Sequence, residues 1–276
     1  MNKLLHIEFK KILTYKTFWI LFGLYFVFLP IGILLAEFMI NNMVDNINKH
    51  TPIPLPHVAI YYFPDVWQNF AFFASIRYVL IFPAIVIIIL ITNEFTFKTI
   101  RQNIINGMSK AEFLRSKLQI ILLMALFVSL ILTISAFIVG LFHSGTSDIT
   151  FFSKGIPFMF GFFVSLFSFL IYAFFFGFML RNTGLAIGLF TLYTLIIEPI
   201  ISGLLRSPLL FKNTIYNFLP ITSAIRVTEY PAVPVLKKVM GLELQSGISL
   251  ISLGVPLLYS ALMIGIVFWV MSKKDL

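Results

Sequence analysis

The stretch FGFFVSLFSFLIYAFFFGFML, running from Phe160 to Leu180, contains no charged residue and no polar stripe. A helix on the surface of a water-soluble protein needs a polar face, so this one has no place there. About 20 apolar residues are what a helix needs to cross roughly 30 Å of hydrocarbon, and this run meets that length. Working outward, five more segments pass the same test: Thr17 to Ile40, Phe72 to Thr92, Phe113 to Phe142, Thr183 to Gly203 and Ile248 to Met271, with the central span reaching back to Ile156. The whole chain agrees with them. Its 276 residues are 59% hydrophobic and 11% charged, with a mean hydropathy of +0.99, whereas soluble domains carry roughly 25% charged residues. The reading is an all-α integral membrane protein with six transmembrane helices, in a single domain covering residues 1–276.

A formal charge of +9 would suggest nucleic acid in a soluble protein. Here no RNA-binding signature or compact basic domain accompanies it, and Lys and Arg gather in cytoplasmic segments of membrane proteins, where they set orientation and meet anionic headgroups. Twelve of the cations fall on one side of a six-span layout: Lys3, Lys10, Lys11, Lys16, Lys98, Arg101, Lys110, Arg115, Lys117, Arg181, Lys273 and Lys274. The other side holds Lys49, Arg77, Lys154 and, in one long loop that counts little, Arg206, Lys212, Arg226, Lys237 and Lys238. Both termini are predicted cytoplasmic, in a cell inner or plasma membrane. No cleavable leader is expected, because Lys10, Lys11 and Lys16 precede an apolar run longer than a leader's core. With no Cys there is no disulfide framework or thiolate chemistry.

Before the first span, Leu5, Phe9, Ile12 and Leu13 share a helical face that the lysines largely avoid. This describes either an amphipathic helix lying in the interface or a plain extension of the span. After the first span come Pro52, Pro54 and Pro56, then Tyr61, Tyr62, Phe63, Trp67, Phe70, Phe72 and Phe73, read as headgroup anchors or, alternatively, as a lateral gate. Between spans five and six, Pro208, Pro220, Pro231 and Pro234 interrupt a moderately apolar stretch. Backbone of that kind at membrane depth must be buried in protein or line a wet cavity, so re-entrant or interfacial helices are expected near Ser207 to Phe218 and Pro234 to Leu244.

The connection NEFTFKTIRQNIINGMSKAEFLRSK, residues Asn93 to Lys117, is built as two helices meeting at an elbow. Phe97, Ile100, Ile104 and Met108 recur at helical spacing while Lys98, Thr99, Arg101, Gln102 and Asn103 cover other faces, which predicts a short surface helix. Asn106 and Gly107 stop it. Ser109 and Glu112 then stand at the spacing of a capping box that opens the third span. Such a helix either only anchors or carries a push from a cytoplasmic partner into the span.

These residues resemble the permease subunit of an ABC-2 type ATP-binding-cassette transporter. The match lies in a charged helix before span one, the acid Glu94 ending span two, Lys98 and Thr99 where that family often has Gly-Thr, the turn Gly107 to Lys110 where a Pro-Ser-Arg-like turn is common, and the basic Lys117 downstream. Lys98 and Gly107 depart from the pattern. The resemblance implies that the surface helix is a coupling helix docking on a separate ATPase, that two permease copies (a homodimer or related pair) and two ATPases assemble, and that ATP and Mg belong to the partner. The coupling residues it implies are Glu94, Phe97, Lys98, Thr99, Ile100, Arg101, Ile104, Gly107, Ser109 and Lys110. Consistent with a separate ATPase, no G-x-x-x-x-G-K-[ST] loop occurs in the chain.

Charge at membrane depth is costly and marks functional candidates. Glu37, Arg77 and Glu198, the last followed by Pro199, are the groups that qualify. They are either part of a transport path and outer gate or structural groups that pair with one another or snorkel to the interface. Gly177, Gly184 and Gly188 read as close-packing positions. His6, His50, His57 and His143 lack carboxylates at ligand spacing, and no H-E-x-x-H or G-x-S-x-G occurs, so neither metal site nor catalytic residues are expected. The expected function is a permease subunit exporting an amphipathic or lipophilic cargo. The alternatives are a force-transmitting subunit without cargo, or a self-sufficient secondary transporter, which would want polar groups at midplane.

Overall fold

A computed structural model of the chain describes residues 10–50, 61–144, 150–206, 214–228 and 248–273. These residues form helices and turns, without a strand among them. The elements are α1 (Lys16–Asn48), α2 (Asp65–Ala74), α3 (Arg77–Thr96), α4 (Thr99–Ile105), α5 (Lys110–Ser144), α6 (Thr150–Leu180), α7 (Thr183–Leu192), a π-helical turn (Tyr193–Ile197), α8 (Glu198–Arg206), a 3-10 turn (Thr214–Phe218), α9 (Pro220–Ile225) and α10 (Leu250–Lys273). Six segments are long and apolar enough to cross a membrane: α1, α3, α5, Ser153–Leu180 of α6, the continuous α7–π–α8 rod, and α10. This is the architecture of a multi-pass membrane protein.

The quoted phenylalanine run becomes the hub. Packed against α6 are α3, α5, α10, α2, α7 and α9, and Phe162, Phe169, Phe174 and Phe178 are fully buried within it. Phe169 meets Phe190 of α7 edge-on at 5.4 Å between ring centroids. A helix apolar on every side is stable when other helices or lipid cover every side, and here both do. Gly177 lets α3 approach, since a Cβ there would collide with the Ile91 side chain. Gly184 and Gly188 do not behave alike: the first would meet only the Asn182 side chain at 3.6 Å, and the second faces open space. Among the described residues no other helix packs on either.

Span two starts later than Phe72. The backbone breaks between Ala74 and Arg77, and Phe72 and Phe73 belong to the separate α2. The aromatic cluster around it is mostly interior: Trp67 and Phe70 are buried in the core, while Tyr62 is exposed. Stacking against Phe63 and Phe137 explains this inward turn, as indole and phenyl faces find aromatic partners there rather than headgroups. At the chain's start, residues 10–14 are helical and the extended backbone at Tyr15 separates them from α1, so they do not simply extend the span. Beyond span five, residues 207–213 of the helix expected near Ser207 to Phe218 lie outside the described residues; its end is a 3-10 turn from Thr214, followed by α9, which buries Ile221 and Ala224 against α6 and α10. The one expected near Pro234 to Leu244 lies outside the described residues.

Candidate functional site

The elbow after α3 is fixed by local chemistry at each corner. Span two ends at Phe97, whose amide returns to the Asn93 carbonyl at 2.9 Å. Lys98 then adopts the left-handed conformation (φ 54°, ψ 23°), reversing the chain so that α4 leaves at an angle. Glycine takes that conformation at least cost, which gives a physical meaning to the Gly common there in the resembled family. After α4, the Met108 amide donates to the Asn103 carbonyl and the Gly107 amide to the Ile104 carbonyl, each at 3.0 Å, with Gly107 at φ 92°. Those two bonds make a complete Schellman stop. A proline, the family's common residue, cannot reach that φ, so Gly107 is required by this geometry. The capping box follows: the Ser109 amide donates to the Glu112 carboxylate at 2.8 Å, and the Glu112 amide donates to the Ser109 hydroxyl at 3.2 Å.

Glu94 ties this elbow to the bundle. It lies at the last turn of α3, only 4% exposed. Its carboxylate receives Lys117 of α5 at 2.6 Å and Lys11 from the N-terminal helix at 3.0 Å, and the Thr99 hydroxyl that opens α4 donates to it as well. The consecutive helices α3, α4 and α5 and the sequence-distant N-terminal helix therefore meet on one anion. Lys117 is itself 6% exposed, with its ammonium near the Phe113 ring, so the pair is out of water. A buried pair gains little net stability over apolar packing, yet removing one partner strands the other, which makes the arrangement rigid rather than merely stable. Arg181, in left-handed backbone between α6 and α7, lays its guanidinium over Phe95, and Thr92 and Thr183 share a 2.8 Å hydrogen bond. Lys110 reaches the Ser272 carbonyl of α10 at 3.5 Å. Both ends of the described chain thus sit at the Glu94 end of the bundle.

The surface helix is shorter than its spacing predicts, and of the predicted apolar face only Phe97 departs. Phe97 is outside it and 63% exposed; Ile100 is buried, and Ile104 and Met108 pack half-buried on the core. Ile105, skipped by the pattern, is 75% exposed. Arg101, Gln102 and Lys98 are exposed too. Thus Ile100 and Ile104 seat the helix, and Phe97, Arg101 and Ile105 are what a partner would meet. Lys11 was the missing member of the Glu94 cluster, because nothing in sequence links positions 83 residues apart.

The membrane-depth charges divide. Glu198 is fully buried, so it does not snorkel. Its carboxylate accepts from the backbone amides of Ile221 (3.0 Å) and Thr222, the two orphan donors left at the start of α9 after Pro220. A cap supplied by another helix is its role. Arg77 makes no ion pair with it. The guanidinium donates instead to the Thr194 carbonyl at 2.7 Å. The reason lies at Pro199: in the π turn the Glu198 amide bonds back five residues to Tyr193, and the next such donor, for Thr194, would be an N–H that Pro199 lacks. Glu37 has another neighbour, Tyr61, whose phenol is pushed up by burial and by that carboxylate. Arg77, Glu198 and Pro199 therefore gather at the π turn, whereas Glu37 has Tyr61 as its neighbour.

Neither the known protein-family models nor the curated proteins contain a match to this chain.

Proposed function

We propose that this chain is the permease subunit of an ABC-2 type exporter, with both termini cytoplasmic, driven by a separate ATPase subunit that holds ATP and Mg. The Glu94 cluster carries this reading. It welds a short surface helix to spans two and three and to the N-terminal helix, while leaving Phe97, Arg101 and Ile105 uncovered at one end of the bundle. A push on α4 would move two spans together, which is the task of a coupling helix. Catalysis belongs to the partner, and this chain supplies the lever and the path. A second permease copy would cover the apolar faces of α1 and α7, where Gly184 and Gly188 form a small-residue stripe that meets no other helix among the described residues. The short helices between spans five and six, held by Glu198, would be re-entrant elements of the far side. An amphipathic or lipophilic cargo suits walls this aromatic.

The test is replacement of Phe97, Arg101 and Ile105 together with alanine. Membrane insertion should remain intact while ATP-driven activity and co-purification of the ATPase are lost. Unchanged coupling would reject the role assigned to α4.

A further inference from the structure

Between α1 and α5, in the half of the bundle away from Glu94, lies a cavity of about 370 Å³, within the range of small-ligand sites. On α1 it runs from Tyr25 to Ile33 and on α5 from Val128 to His143. Fifteen residues of helix cover about 22 Å, somewhat more than one leaflet's share, about 15 Å, of the hydrocarbon. The site is thus long and narrow, standing along the helices from mid-depth to the end of α5. Its lining is almost wholly apolar along this length. Tyr25 and Ser135 place single hydroxyls at the deep end and midway, and at the outer end His143 packs 5.0 Å from the Tyr61 ring, with His143 Nδ1 engaged by the Val139 carbonyl at 2.9 Å. The site is reachable from the side: Pro30 is exposed, and Leu29 and Ser135 are only half-buried. α2 bridges the two helices at the outer end by packing on both.

We propose that this cavity binds one acyl chain of a bilayer phospholipid drawn from the leaflet at the Tyr61 end, with the chain terminus at Tyr25 and Val128 and the ester region at His143. Length decides for a single chain over a compact solute. At the deep end the polar lining group is the single uncharged phenol of Tyr25, which cannot compensate the desolvation of a charged headgroup and so decides against a headgroup at depth. The polar, aromatic outer end suits the ester region, where tyrosine and histidine rings present an apolar body and a polar tip. The site stands whether or not an ATPase drives the chain.

The experiment uses the full chain in detergent-free vesicles of phosphatidylethanolamine and phosphatidylglycerol, doped with phospholipid carrying a diazirine either at the end of one acyl chain or beside its carbonyl. After photolysis, the terminal probe should label peptides around Tyr25 and Val128, and the carbonyl-side probe those around Val139 and His143. Ser135→Phe, whose hydroxyl bonds only within its own helix at 2.8 Å, should fill the cavity and cut labelling about tenfold. Ile20→Phe, on the 62% exposed lipid face, should leave it unchanged. Labelling without that register, or equal labelling of the exposed α10 face around Leu258, would overturn the proposal, as would full labelling of a folded Ser135→Phe chain. If Ser135→Phe does not fold, the register on the unaltered chain decides alone.

Discussion

Replacing Glu94 with Gln should destabilise the bundle by about 3–5 kcal/mol, because Lys117, with 7% of its side chain exposed, then loses the carboxylate that meets it at 2.6 Å. Replacing Lys117 with Met should cost less. Glu94 keeps Lys11 at 3.0 Å and the Thr99 hydroxyl, so the loss is that of one charged hydrogen bond, about 1.5–3 kcal/mol. The double change removes both buried charges and strands only Lys11, whose side chain is 32% exposed and can turn to water, so it should cost about 1 kcal/mol. The single costs together therefore exceed the double, giving a coupling energy of about 3.5–7 kcal/mol between positions 94 and 117. Reversible unfolding in mixed micelles, followed by the fluorescence of buried Trp67, measures all four corners. Additivity within about 0.5 kcal/mol would show that the pair is not the clamp described.

Other expectations come from single positions. Lys98→Gly should stabilise the elbow by about 1 kcal/mol, since left-handed backbone costs a side-chain-bearing residue that much, and Lys98→Val should destabilise it; thermal unfolding in micelles separates the two. Gly177→Leu should cost about 1–3 kcal/mol by driving α6 off Ile91 and the Ile88 backbone, with the same assay as the check. Glu198→Ala should uncap α9, losing two charge-assisted bonds worth about 3 kcal/mol together, and hydrogen exchange at the Ile221 and Thr222 amides should rise.

Six spans were legible because lipid imposes a length and a composition that Phe160 to Leu180 satisfies without any tertiary information. The elbow was legible for a different reason: Gly107, Ser109 and Glu112 act on neighbours within five residues, and their bonds are the ones their types dictate. What sequence hid was pairing over distance. Lys11 on Glu94 and Glu198 on α9 join residues 83 and 23 apart, set by how helices pack. The inward side of α4 was legible at Ile100, Ile104 and Met108, while Phe97 fell outside because the left-handed residue Lys98 starts the helix after it. Pro199 announced an exposed carbonyl, but its acceptor role toward Arg77 depended on the π turn that places Thr194.

In the proposed function, α4 receives work from an ATPase and hands it to spans two and three. The chain has no cysteine, so Ile105→Cys provides a single reactive position on the exposed face of that helix. Bifunctional crosslinking from this cysteine in native membranes, with identification of the product, tests the claim directly. The account predicts a crosslink to an ATP-hydrolysing subunit whose yield changes when ATP is added; a cysteine that reacts with a small maleimide yet joins no such subunit would contradict it.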